Sequence, residues 1–240
     1  MNFRKIVSAT MSVVAAGFFV GPANASLVLL SAENFQGTGL GALNTILTLS
    51  SSGNSTTETG SVGREEGNPN DVIKFGSPAG DVKTGASQTQ TRTLGALGVT
   101  SASSLRVVFN ALEQGSDLNS IDLTNLTLSI FSPSGALLFN SGAFTTVNFA
   151  DTLTGAGNSG FLFGLDAVQA AQAQTLAFGA GFGNNLVGLA ATAINATGGF
   201  ETFFVANSRS GGPGTAIPEP GTIALFGAGL LALAARRRRA

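Results

Sequence analysis

The apolar residues of this chain occur in many short runs, and these runs constrain the fold more than any other feature of the sequence. Each run is bounded by Gly, Ser, Asn or Thr, and several alternate with small polar residues. This pattern is typical of β-strands joined by tight turns. We expect strands at 26–31, 42–50, 71–75, 89–97, 104–112, 144–149, 161–165, 184–194 and 199–206.

Three segments carry additional local signals. Residues 126–142 contain two β-like runs around Ser132-Pro133-Ser134-Gly135, where Pro in the second turn position and Gly in the fourth predict a type I turn and a hairpin. Residues 166–178 are rich in good helix formers, and Asp166 can cap the first turn. Residues 51–70 contain almost no large apolar side chain and are predicted to form a long loop.

These elements predict a mainly β domain with one short helix. Residues 26–212 are long enough for one hydrophobic core, and many short strands favour a β-sandwich or jelly-roll-like domain. A β-solenoid is the alternative, but the sequence has no fixed period to support it. The residues expected on the sheet-facing side of the helix are Val168, Ala171, Thr175 and Leu176.

Missing residue types exclude several kinds of chemistry. The chain has no Cys and no His, which excludes disulfides, thiolate nucleophiles, Ser-His-Asp triads and metal sites built on His or Cys. Trp and Tyr are also absent. Between residues 26 and 217 there are six basic and twelve acidic residues, a net charge of about −6. Such a domain should be repelled by phosphate backbones, so we expect no nucleic-acid partner.

The first residues have the three parts of a secretory signal. Arg4 and Lys5 are followed by an uncharged apolar stretch at 6–20 and by Ala23-Asn24-Ala25. Small residues at Ala23 and Ala25 suit signal peptidase. The sequence therefore predicts a signal peptide at 1–25, cleavage after Ala25, and export across the inner membrane.

Candidate ligand sites in the domain are weak. Asp117, Asn119 and Asp122 could present oxygens to calcium, but the full calcium-loop pattern is absent and an Asx turn explains Asp117 and Asn119 as well. An acidic cluster at 65–71 has the character of a solvent-exposed loop. A glycosidase would need two carboxylates facing each other across a cleft, and the sequence contains no hydrolase motif. We expect no cofactor, with calcium as the open alternative.

The segment 213–240 combines three features of a membrane-targeted tail. Pro218, Glu219 and Pro220 precede an uncharged stretch at 222–235, which is followed by Arg236, Arg237, Arg238 and Arg239. As a helix, the stretch would span roughly 21 Å, against a bilayer core of about 30 Å. Its larger apolar residues favour insertion by only about 2–4 kcal/mol. We therefore expect a marginal, transient transmembrane segment whose arginines stay in the cytoplasm.

This tail resembles the PEP-CTERM sorting signal of exported proteins of Gram-negative bacteria. The residues that carry the resemblance are Pro218-Glu219-Pro220, the stretch 222–235 and Arg236–Arg239, with Ile217 where Val is common. The resemblance implies processing by an exosortase and a link to exopolysaccharide or biofilm production. The β-rich domain is similar to those found upstream of such tails, a group from which no activity can be carried over.

These features predict an exported, non-catalytic protein of the cell surface or extracellular matrix. Its expected partners are signal peptidase, an exosortase-like enzyme, transiently the inner membrane, and exopolysaccharide or matrix. The alternatives are a carbohydrate- or calcium-binding module and a carboxylate-dependent glycosidase.

Overall fold

The computed structural model of the 240-residue chain describes residues 26–36, 44–51, 55–76, 81–85, 87–111, 121–149, 159–196 and 199–208. Twelve strands and one α-helix occur in these ranges, and all strand pairs are antiparallel. The predicted mainly β class and the single helix are therefore confirmed. The signal peptide at 1–25 and the segment 213–240 lie outside the described residues.

Five strands form the first sheet, in the spatial order β1-β10-β6-β12-β2. Their bounds are Leu27–Gln36 (β1), Asn44–Leu49 (β2), Leu105–Asn110 (β6), Ser159–Leu165 (β10) and Glu201–Asn207 (β12). The last of these, β12, pairs with β6 on one side and with β2 on the other. The final described strand of the chain thus lies inside the sheet and not at its edge.

Seven strands form the second sheet, in which β4-β3-β11-β7-β8 are neighbours, β5 pairs with β11 and β9 pairs with β7. Their bounds are Thr57–Gly63 (β3), Val72–Lys74 (β4), Arg92–Thr93 (β5), Ile121–Phe131 (β7), Leu137–Asn140 (β8), Val147–Phe149 (β9) and Leu186–Ile194 (β11). The longest ladder joins β11 to β7, from Leu186 opposite Phe131 to Ile194 opposite Asp122.

Both sheets contribute side chains to one hydrophobic core. At its centre Phe109 of the first sheet is fully buried and stacks on Phe203, with ring centroids 4.8 Å apart. Phe149 of the second sheet lies 5.6 Å from Phe109 and 4.0 Å from Phe161, centroid to centroid. This group of phenylalanines therefore joins the two sheets, which makes the domain a two-layered structure.

The predicted hairpin and the predicted helix start are confirmed. In the hairpin, the amide of Gly135 donates to the Ser132 carbonyl at 2.9 Å, and Gly135 has a φ of 91°, a value that favours glycine. The helix α1, Ala167–Ala177, begins with Asp166, whose side chain accepts a hydrogen bond from the Gln169 amide at 2.8 Å. Gln169 completes a capping box.

The predicted buried face of α1 is wrong. Its buried residues are Gln169, Ala170, Ala173 and Ala177, whereas Val168 and Leu176 are 60% and 49% exposed. The helix contacts the 3-10 turn Ala102–Ser104 and strands β8 and β10. Alanines allow close approach to these elements, and Gln169 reaches the Ser141 carbonyl at 3.0 Å. Packing space and this hydrogen bond, more than side-chain hydrophobicity, select the buried face.

Two further predictions are wrong. Residues 51–70 are not one long loop, because Thr57–Gly63 forms β3 between β4 and β11. Small residues are required there: a Cβ at Gly60 would lie 2.1 Å from Val82 Cγ2. The strand predicted at 89–97 is limited to Arg92–Thr93, since the amide of Leu97 donates back to Thr93 and forms a turn that buries Leu94 and Leu97.

Candidate functional site

Both ends of the described domain lie on the same side of the first sheet, where its strands begin or end. Strand register places Leu27 opposite Leu165, Gly164 opposite Arg106, and Leu105 opposite Asn207. We call this row of strand ends the entry edge. The opposite row of strand ends, where Glu201 pairs with Leu49, is called the far edge. The segment that precedes Leu27 and the segment that follows Asn207, which carries the predicted sorting residues, therefore attach to the same side of the domain.

The start of β6 at the entry edge is held by a buried cation. Arg106 is 6% exposed, and its Nη1 donates to the carbonyl oxygens of Ser103 at 2.7 Å and Leu105 at 2.9 Å. Burial lowers the pKa of the Arg106 guanidinium from its ordinary value, because the charged form loses hydration. These contacts fix the turn that precedes the strand and indicate a structural role.

Asp122, near the start of β7 in the second sheet, accepts hydrogen bonds from two side-chain amides. Its Oδ1 accepts from Nδ2 of Asn148 at 2.6 Å, and its Oδ2 accepts from Nδ2 of Asn195 at 2.8 Å. Asn195 has a φ of 62°, which asparagine tolerates better than most residues. Asp117 and Asn119, the other two calcium candidates, lie outside the described residues. In the described part, Asp122 therefore connects β7 to β9 and to the end of β11 by hydrogen bonds.

The acidic segment 65–71 is organised by one ion pair. Nε of Arg64 lies 3.0 Å from Oδ1 of Asp71, and the Asp71 carboxylate also accepts from the hydroxyl and the amide of Thr91, at 2.6 and 2.9 Å. Oδ1 of Asn68 accepts from the Asn70 amide at 3.0 Å. These groups hold the connection between β3 and β4 in place, in agreement with its interpretation as a solvent-facing connection.

An open groove of about 250 Å³ crosses the second sheet. It is lined by β3, β4, β7, β11 and the start of β8, with Arg64, Glu65 and Lys74 on one side and Phe131 and Leu137 on the other. Glu65 is the one carboxylate among the lining residues described. The groove therefore combines small residues, charged groups and apolar side chains.

Sequence reasoning missed three buried carboxylates near the far edge. Glu58 and Asp81 are each 1% exposed, and Glu201 is fully buried. The signal for Glu58 was available, because Glu58, Gly60 and Val62 alternate along TETGSVG and share its buried face. Asp81 and Glu201 gave no local signal, since their burial depends on contacts distant in the sequence.

Neither a metal cluster nor a membrane span is found within the described ranges. No group of three or more Asp or Glu side chains there is arranged to hold a metal ion. No helix in the same ranges is both long and apolar enough to cross a membrane.

The sorting residues lie outside the described ranges, and so do the predicted cleavage residues Ala23 and Ala25. They comprise Pro218, Glu219, Pro220, the stretch 222–235 and Arg236, Arg237, Arg238 and Arg239. A family model described as the PEP-CTERM protein-sorting motif matches residues 216–239. Comparisons with curated proteins and with solved structures found no match. The chain therefore carries a PEP-CTERM protein-sorting motif, which marks it as an exported protein handled by exosortase-type machinery.

Proposed function

We propose that this protein is a non-catalytic component of the cell surface or the exopolysaccharide-containing matrix, delivered there by C-terminal processing. The observation that carries the proposal is the sorting motif at 216–239, joined to a β-rich domain. In this proposal signal peptidase cleaves after Ala25, the stretch 222–235 holds the chain in the inner membrane, and an exosortase acts at Pro218-Glu219-Pro220. The four terminal arginines keep that end in the cytoplasm.

The position of the chain ends supports this route. Leu27 and Asn207 lie at the entry edge, so one side of the domain faces the membrane while either end is held there. The far edge and the loops around it then point away from the membrane. A domain with its two ends on opposite sides would have to lie flat or stretch one linker across its surface.

The test is to replace Pro218-Glu219-Pro220 with three alanines in the native host. We expect full-length protein to accumulate in the membrane fraction, while the unaltered chain is released in a shorter form. Pro213→Ala, outside the triplet, is the matched control and should be processed normally. Mass spectrometry of the C-terminus identifies the cleavage point and any group attached there. Identical release and size of the triplet variant and the unaltered chain would contradict the proposal.

A carbohydrate-binding module is the second candidate, and the groove on the second sheet favours it. Leu137 is 57% exposed beside the groove and Lys74 lies on its other side, so both can contact a polymer without supporting the core. In affinity electrophoresis with exopolysaccharide from the host, Leu137→Ala and Lys74→Ala should weaken retardation. Val168→Ala, on the exposed face of α1, should leave it unchanged. Equal retardation of all four proteins would exclude the groove.

A further inference from the structure

Two of the buried carboxylates, Glu58 and Asp81, lie close to the end of β2 and are bonded to neighbouring backbone amides. Oε1 of Glu58 accepts from the Ser51 amide at 2.5 Å, and the Asp81 carbonyl accepts from the neighbouring Ser50 amide at 2.8 Å. Oδ2 of Asp81 accepts from the amide of Thr59, the residue after Glu58, at 3.0 Å. Both carboxylates therefore lie in the corner where β2 ends beside β3.

Each of these carboxylates is only half satisfied. Oε2 of Glu58 and Oδ1 of Asp81 are buried and have no hydrogen-bond partner in the described part of the chain. Buried carboxylates that lack water are costly unless they are paired or bind a metal ion.

We infer that Glu58 and Asp81 bind one Ca²⁺ ion through Oε2 and Oδ1. Calcium accepts six to eight oxygen ligands in irregular geometry, and carboxylates, backbone carbonyls and water all serve. Magnesium requires a near-ideal octahedron and keeps its water, which a buried corner of two strand ends does not favour. Two carboxylates are consistent with the finding that no group of three described acidic side chains converges. The inference is independent of the sorting motif and of the Asp117–Asp122 candidate.

The site also has a structural consequence. Several backbone contacts surround these carboxylates. They are the bridge between Leu49 and Val82 and the hydrogen bonds donated by the amides of Ser50, Ser51 and Thr59. A bound ion would link Glu58 to Asp81 and hold this part of the second sheet against the first. Extracellular calcium modules bind with a Kd of about 10⁻⁴ to 10⁻³ M, and this range sets the concentrations for the test.

The experiment uses the full chain, purified in mild detergent and freed of metal with EDTA. Thermal unfolding is followed by far-UV circular dichroism, and bound calcium is measured by equilibrium dialysis with elemental analysis. At ten times Kd, calcium should raise Tm by about 3–6 °C, with about one ion bound per chain, and magnesium at the same concentration should not. Glu58→Gln and Asp81→Asn should each lose most of the bound calcium and of the shift, and two variants are used in case one does not fold.

Two matched variants make the result specific. Glu66→Gln removes an exposed carboxylate and should bind calcium as the unaltered chain does. Asp122→Asn removes the carboxylate of the other calcium candidate and should also leave binding unchanged. No calcium bound to the unaltered chain, full binding by either Glu58→Gln or Asp81→Asn, or loss of binding in Asp122→Asn would each overturn the inference.

Discussion

The strongest stability prediction concerns Phe109, which lies at the contact between the two sheets. Its ring is fully buried, stacks on Phe203 at 4.8 Å and approaches Phe149 and Phe161 at 5.6 and 6.4 Å. Burying roughly 150–200 Å² of ring at about 25 cal/mol/Å² contributes about 4–5 kcal/mol. Phe109→Ala loses most of this and leaves a cavity, so the free energy of unfolding should fall by about 3–5 kcal/mol.

The assay is urea unfolding followed by far-UV circular dichroism, because the chain has no Trp or Tyr to report by fluorescence. At about 2–4 °C per kcal/mol, the same change should lower Tm by roughly 6–20 °C. Phe75→Ala is the matched control, since Phe75 is 44% exposed and should lose about 0.5 kcal/mol or less. A loss below about 1 kcal/mol for Phe109→Ala, with an unchanged m-value, would refute the assignment of this cluster as the shared core.

Three further changes can be tested in the same assay. Asp166→Ala removes the cap of α1 and should cost about 1 kcal/mol, whereas Asp166→Asn should retain most of it; equal losses would contradict the cap. Gly60→Ala should cost about 1–3 kcal/mol because the new Cβ would meet Val82, while Gly179→Ala, which meets nothing within 4 Å, should be nearly neutral. Asp122→Ala leaves two partly exposed amides without their acceptor and should cost about 0.5 kcal/mol; no measurable loss would contradict a stabilising role for Asp122.

Local signals were sufficient for the hairpin at 126–142 and for the start of α1. In both cases the deciding interactions are between residues close in sequence: Gly135 with Ser132, and Asp166 with Gln169. The sorting motif at 216–239 is also a local pattern, so it could be recognised without a fold. The exclusion of disulfides, thiolate nucleophiles and His-based sites also needs no fold, because it depends only on the absence of Cys and His from the sequence.

Three features that depend on tertiary contacts differ from the sequence predictions or were not foreseen. The low apolar content of TETGSVG predicts a loop, yet the segment forms β3, where Gly60 is needed to clear Val82. The buried face of α1 was assigned by hydrophobicity, whereas packing selected the alanines and Gln169. The corner of Glu58 and Asp81 joins residues 23 positions apart through the end of β2. No spacing rule on a single sequence brings those residues together.

The interior position of β12 in the first sheet sets an order of events during export. Because β12 lies between β6 and β2, the first sheet stays open until the chain has been delivered as far as Asn207. The sorting motif begins at residue 216, nine positions after Asn207. A chain that crosses the membrane unfolded, N-terminal end first, would thus complete its domain only as the motif itself reaches the bilayer. Folding and capture by the sorting enzyme would then be nearly simultaneous, and a premature cut within β12 would leave β2 without its partner in the first sheet.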